Sequence, residues 1–204
     1  MTAPSSMRRL QGTDRLAAAV SEVFAPAVLV SLFLVVAAFY AAPWPGSLLL
    51  AAVAVCFTTA LPLLGVIALV RRGRLVDHHI SDRRQRGPVL AATLGSIGAG
   101  LALLILLDAP PVLLGAVLCT VAGVVLVLVV NLWWKLSAHS AVAVFVAVGT
   151  VGLFGPWASP LLLVPAVVGW SRVRLRAHTP AQVVAGYAVG AVIGGAFARL
   201  VAGG

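Results

Sequence analysis

Acidic side chains are nearly missing from this chain: five Asp and Glu stand against fourteen Lys and Arg in 204 residues. Of the acids, Asp77 and Asp82 are the ones near the histidines and the arginine-rich loop. That supply is too small for the carboxylate cluster that holds magnesium on a diphosphate, so no metal site is expected. Cysteine is scarce as well. Cys56 and Cys119 lie inside apolar runs without a CxxC neighbour. This excludes a disulfide framework or zinc site and leaves them as small core residues. Aromatics make up 7%, and the basic residues form short clusters instead of one basic face. The formal charge of +9 therefore does not point to nucleic acid. Charged residues total 9%, where a soluble domain carries roughly 25%.

What fills the chain is hydrocarbon: 62% of residues are hydrophobic and mean hydropathy is +1.12. Apolar runs lie at about 19–42, 47–70, 88–108, 111–134, 139–155, 157–171 and 180–202, most of them near the ~20 residues that cross a bilayer. Their continuity fits helices, which satisfy their own backbone groups in lipid, and not an alternating barrel. The expected fold is an all-α polytopic transmembrane bundle of about six or seven spans. The runs 139–155 and 157–171 are short and suit either two spans or a re-entrant pair. Breaks are marked by Pro43-Trp44-Pro45-Gly46, Asp108-Ala109-Pro110-Pro111 and Gly155-Pro156. Residues 1–18 read as a disordered cytoplasmic tail and 19–204 as a single transmembrane domain. The stretch from Leu16 to Ala42 exceeds the ~7–15 apolar residues of a cleaved signal peptide and reads as a retained first span.

Seven spans put Arg8, Arg9, Arg15, Arg71, Arg72, Arg74, Arg83, Arg84, Arg86, Lys135, Arg172, Arg174 and Arg176 on one side, leaving Arg199 near the other. The positive-inside rule makes the arginine side cytoplasmic. Together with Ala-, Val-, Gly- and Arg-rich usage, this suggests a multi-pass protein of a bacterial plasma membrane. The bilayer itself and a membrane lipid substrate are the expected partners. In the last helix, Gly186, Gly190, Gly194 and Gly195 form a small-residue face suited to packing inside the bundle or to a homodimer.

All four histidines, His78, His79, His139 and His178, fall on the arginine side. His139 follows Ser137 at a helix start, where free N–H groups and a partial positive charge suit a phosphate and Ser137 suits an N-cap. His178 precedes Thr179-Pro180, and Gln182 completes a Thr179-x-x-Gln182 capping box. Two imidazoles among guanidinium groups suit metal-free phosphoryl transfer. One attacks phosphorus, the other handles the leaving group's proton, and arginines clamp the oxygens.

These residues resemble the type-2 phosphatidic acid phosphatase superfamily over roughly residues 77–195. Its third motif is Ser-Arg, five residues, His, three residues, Asp. Ser171-Arg172 and His178 fit it in register, with Gln182 at the Asp position. Its second motif, Pro-Ser-Gly-His, corresponds to Leu136-Ser137-Ala138-His139. Its first, Lys, six residues, Arg-Pro, corresponds to Arg86-Gly87-Pro88 with His79 at the lysine position. The resemblance implies a phosphatase/haloperoxidase-like core without cofactor. It implies an integral membrane hydrolase acting on a lipid phosphate or (poly)prenyl diphosphate through a phosphohistidine. His178 would be the nucleophile, His139 the general acid and Arg172 the transition-state clamp. Arg86, Ser137 and the N–H of Ala138 would bind phosphate and Gln182 would orient the nucleophile. Lys135, Arg83 or Arg84 would stand in for the lysine that His79 replaces. The altered motifs equally suit a non-catalytic relative that binds or moves anionic lipids.

Overall fold

The computed structural model describes residues 12–72 and 83–203, the side chains of 83–90 excepted. Every regular element among them is helical. In chain order they are α1 (Gly12–Val23), α2 (Pro26–Ala41), α3 (Gly46–Val55), a π turn (Cys56–Ala60) and α4 (Leu61–Arg71). There follow α5 (Arg83–Leu106), α6 (Pro111–Val130), α7 (Ala138–Phe154), a 3-10 segment (Pro156–Leu162), α8 (Leu163–Arg174) and α9 (Pro180–Ala202). Among the described residues, three helices are long and apolar enough to cross a membrane: the continuous Gly46–Arg71 stretch, α6 and α9. The α1–α2 pair, bent by 43°, makes a fourth if it counts as one span, while Ala91–Leu106 of α5 and α7 are shorter apolar helices.

The helix ends follow local chemistry. Proline at the first turns of α2, α6 and α9 costs no intrahelical bond. Gly155 ends α7 at φ 83°, a left-handed backbone that glycine adopts without strain. Each expected break is present. The expected tail and first span are corrected in two places. Residues 12–18 are the first turns of a docked helix, held because Thr13 and Asp14 bond Arg174 of α8. The run to Ala42 is divided at Pro26, whose missing N–H stops α1 from continuing into α2. Three threonines inside the apolar helices bond their own helix: Thr59 the Val55 carbonyl, Thr120 that of Ala116 and Thr150 that of Val146.

Packing centres on α2, α7 and α9. The Phe33 ring meets Phe145 and Phe197 edge-on, with centroids 5.1 and 5.2 Å apart. Helices α7 and α9 run parallel in a register set by glycine. A Cβ on Gly186 would stand 2.6 Å from the Ser137 carbonyl oxygen, one on Gly190 would strike the Ala141 carbonyl, and one on Gly194 would stand 2.8 Å from Val148 Cβ. The three glycines of this face are thus committed within the chain, the small-residue packing of membrane bundles. Gly195 faces open space.

Chain direction then sorts the ends. Tyr40, Phe154 and Trp157 cluster at one end, edge-on at 5.5 and 5.9 Å, beside the α2–α3 turn. The opposite end gathers the close of α4 (Arg71), the α6–α7 turn with Lys135 and the close of α8 (Arg172, Arg174). Exposed Trp133 and Trp134 at this end, and Trp44 and Trp157 at the other, suit two interfacial belts.

Candidate active site at the basic end of the bundle

The start of α7 is built by its own short polar residues. Asn131, at the end of α6, donates to the Val127 carbonyl (2.8 Å) and accepts the Leu136 N–H (2.9 Å). Ser137, fully buried, then caps α7. Its Oγ accepts from the Ser140 N–H (3.3 Å) and lies 2.9 Å from Ser140 Oγ, while its N–H donates to the Gln182 carbonyl (3.3 Å). Its polar atoms therefore serve the helix start and the α7–α9 junction. His139, half-buried, is on the first turn of α7.

The link from α8 to α9 is wound tightly. The N–H groups of Ala177 and His178 both donate to the Arg172 carbonyl, at 3.0 and 3.3 Å, with Arg176 left-handed at φ 54°. His178 is thereby held over the last turn of α8. The Thr179–Gln182 capping box is present in both directions. Gln182 does two jobs at once: its Oε1 accepts the Thr179 N–H (3.1 Å) and lies 3.3 Å from His178 Nδ1. The backbone N–H fixes which amide atom is the oxygen. An oxygen there can only accept, so His178 carries its proton on Nδ1 and leaves the Nε2 lone pair available.

Two further bonds bring the loops together. Lys135 Nζ donates to the Ala177 carbonyl (3.0 Å), next to His178, and Ser137 reaches Gln182 as described. With Gly186 against Ser137 and Ser140, the starts of α7 and α9 are adjacent, and His139 and His178 share one end of the bundle. Burial and the nearby charges of Lys135 and Arg172 push the His178 pKa below the usual imidazole range, opposed by the Gln182 hydrogen bond. The net effect favours the neutral ring.

Arg172 is the cation beneath this ring. Its Nη1 donates to Ser21 Oγ at 2.6 Å, Glu22 is its acidic neighbour, and its Nε is buried without a hydrogen-bond partner among the described residues. A buried donor with no partner is unusual and marks a place where an anion would be welcome. Beside the site, an apolar cavity of about 240 Å³ runs between α2, α6, α7 and α9, lined by Pro26, Val30, Gly123, Val127, Ala138 and Phe145 among others. It reaches Ala138, the residue before His139.

The structure thus assembles His178, Arg172, Gln182, Lys135, Ser137 and Ala138, with His139 at the same end. Arg83 and Arg86 belong to the first turn of α5, and their side chains, like His79 and the rest of 73–82, lie outside the described residues. Sequence reasoning missed Ser21 and Asn131. Asn131 was readable as a polar residue ending an apolar run. Ser21, 151 residues from Arg172, carries no local signal.

Residues 111–203, helices α6–α9, match the family model of the PAP2 superfamily. No curated protein and no solved structure matches the chain.

Proposed function

We propose that this protein is an integral membrane phosphatase that hydrolyses a lipid phosphate or (poly)prenyl diphosphate through a phosphohistidine. The match of α6–α9 to the PAP2 superfamily model, a superfamily of phosphatases and related hydrolases, supports the reaction class. The observation that supports the mechanism is the His178 ring, with Nδ1 3.3 Å from Gln182 Oε1 and with Lys135 and Arg172 as its neighbouring cations.

In the first step His178 Nε2 attacks phosphorus and the bond from phosphorus to the ester oxygen breaks. His139 gives its proton to the departing alkoxide. Gln182 keeps the Nδ1 proton on the now cationic imidazole, a weaker stabiliser than a carboxylate would be. Arg172 and Lys135 carry the charge on the phosphoryl oxygens, with the N-terminal N–H groups of α7 directed at the same region. In the second step His139 takes a proton from water, whose oxygen attacks phosphorus. The phosphorus–nitrogen bond breaks, releasing phosphate and restoring neutral His178. Arg86, Arg83 and His79 are assigned to the phosphate oxygens by their motif positions. The cavity at Ala138 is the place for the substrate's hydrocarbon chain, which fits a substrate entering from the bilayer. In this reading α5, α7 and α8 also cross, giving about seven passes.

Phosphate release from phosphorylated lipids in detergent, with EDTA present, tests the proposal. Wild type should turn over and form an acid-labile phosphoprotein, and His178→Ala should lose at least about a thousandfold in rate. Equal release from both would end it. Binding of phospholipid with neither turnover nor phosphoprotein would favour the lipid-binding reading instead.

A further inference from the structure

We propose that α1, which lies outside the family-matching region, is part of the catalytic unit, and that Ser21 is the positioning residue for the Arg172 guanidinium. This rests on the phosphatase reading above. One face of α1 meets α8. Ala17 is fully buried and Ser21 nearly so, one helical turn apart, while Leu16 and Val23 on the remaining surface are exposed. The contact is pinned at both ends. At one end Arg174 Nε pairs with Asp14 Oδ1 at 2.8 Å and Arg174 Nη2 donates to Thr13 Oγ1 at 2.9 Å. At the other, Arg172 Nη1 donates to Ser21 Oγ at 2.6 Å, with Glu22 beside it.

The chemistry of the fork decides what this does. A guanidinium is planar and rigid, so fixing one nitrogen fixes the direction of the others. An unheld arginine at a helix end keeps much of its rotamer freedom and loses it only when substrate binds. Ser21 holds Nη1, and among the described residues Nε is buried with no hydrogen-bond partner. The unspent donor is therefore oriented before an anion arrives, which is the preorganisation that transition-state stabilisation requires. A neutral hydroxyl does this without cancelling the guanidinium charge, as a carboxylate in its place would.

The test uses the full chain in detergent. Variants Ser21→Ala and Ser21→Thr are assayed for kcat/KM on a phosphorylated lipid and for inhibition by orthovanadate, which occupies the phosphate site without a hydrocarbon chain. Ser21→Ala should lower kcat/KM about tenfold and weaken vanadate by a similar factor, with thermal unfolding unchanged. Ser21→Thr, which keeps the hydroxyl, should restore both. Asp14→Asn, which loosens the far end of α1, should shift both readouts in the same direction by less. Unchanged kinetics in Ser21→Ala, with wild type active, would overturn the inference and leave the phosphatase reading standing. A rise in kcat/KM would also overturn it, because α1 would then be competing with substrate for Arg172. Should wild type release no phosphate, the phosphatase reading fails separately. Vanadate affinity measured by thermal shift then decides: weaker binding in Ser21→Ala supports the positioning role, and equal binding rejects it.

Discussion

Helices α6–α9 and helices α1–α5 are made of the same apolar residues but are held in different ways. In α9 glycine recurs every four positions, as Gly186, Gly190 and Gly194, and its backbone meets α7 closely at each of them. In the first half proline divides the path at Pro26, a π turn precedes Pro62, and α5 carries Gly95 and Gly98 facing open space. The difference teaches where precision is needed. In the proposed mechanism the loops opening α7 and α9 carry the chemistry, and their helices are locked together. Among the described residues, the first half lends the site the bond from Arg172 to Ser21 of α1 and, through Pro26 and Val30 of α2, part of the cavity wall.

Glycine substitution should break this comparison most visibly. Gly190→Leu drives a side chain into the Ala141 carbonyl. It should destabilise the protein by about 3 kcal/mol or more, read as a fall in thermal unfolding temperature in detergent. Gly98→Ala meets nothing within 4 Å and should change stability by less than about 1 kcal/mol, in the stabilising direction. Similar losses in both would show that the register of α7 on α9 is not what holds the site.

A smaller effect separates the cavity from the catalytic groups. At Gly123 a Cβ would lie 3.9 Å from the Ile193 side chain, an ordinary contact, so Gly123→Leu fits and fills the cavity. Its kcat/KM should drop about tenfold for a long-chain lipid phosphate and hold for a short-chain, water-soluble one. Equal losses on both substrates would remove the cavity from the binding of the chain.

The smallest change is one of pH. In the proposed mechanism His178 attacks only when neutral, and its pKa is lowered first by burial and then by Lys135 and Arg172. The acid limb of kcat/KM in wild type should therefore lie below the ordinary imidazole range. Lys135→Met removes one of the charges that disfavour the imidazolium, so the His178 pKa rises and the limb moves to higher pH. A limb that moves to lower pH, or not at all, would separate Lys135 from His178.

Much of the basic end is legible in the chain because its signals are local. Thr179, Pro180 and Gln182 specify a helix start within four residues, and Ser137 does the same for α7. The dual use of Gln182 was half legible. The capping box follows from spacing, whereas the bond to His178 needs the left-handed Arg176 that turns the ring toward it. The bend at Pro26 was harder to see, since the residues on both sides are apolar enough to continue one span.

By itself the sequence determined a membrane environment, helical spans, their breaks and the helix-start chemistry of His139 and His178. Each of these depends on residues within one or two turns of one another. Only the tertiary structure decided that α9's glycines face α7 of the same chain, that Lys135 reaches Ala177 and that Ser21 holds Arg172. An apolar face accepts many partners of similar shape, and a hydrogen bond across 151 residues leaves no trace in local spacing. Those choices are made by packing the whole bundle at once.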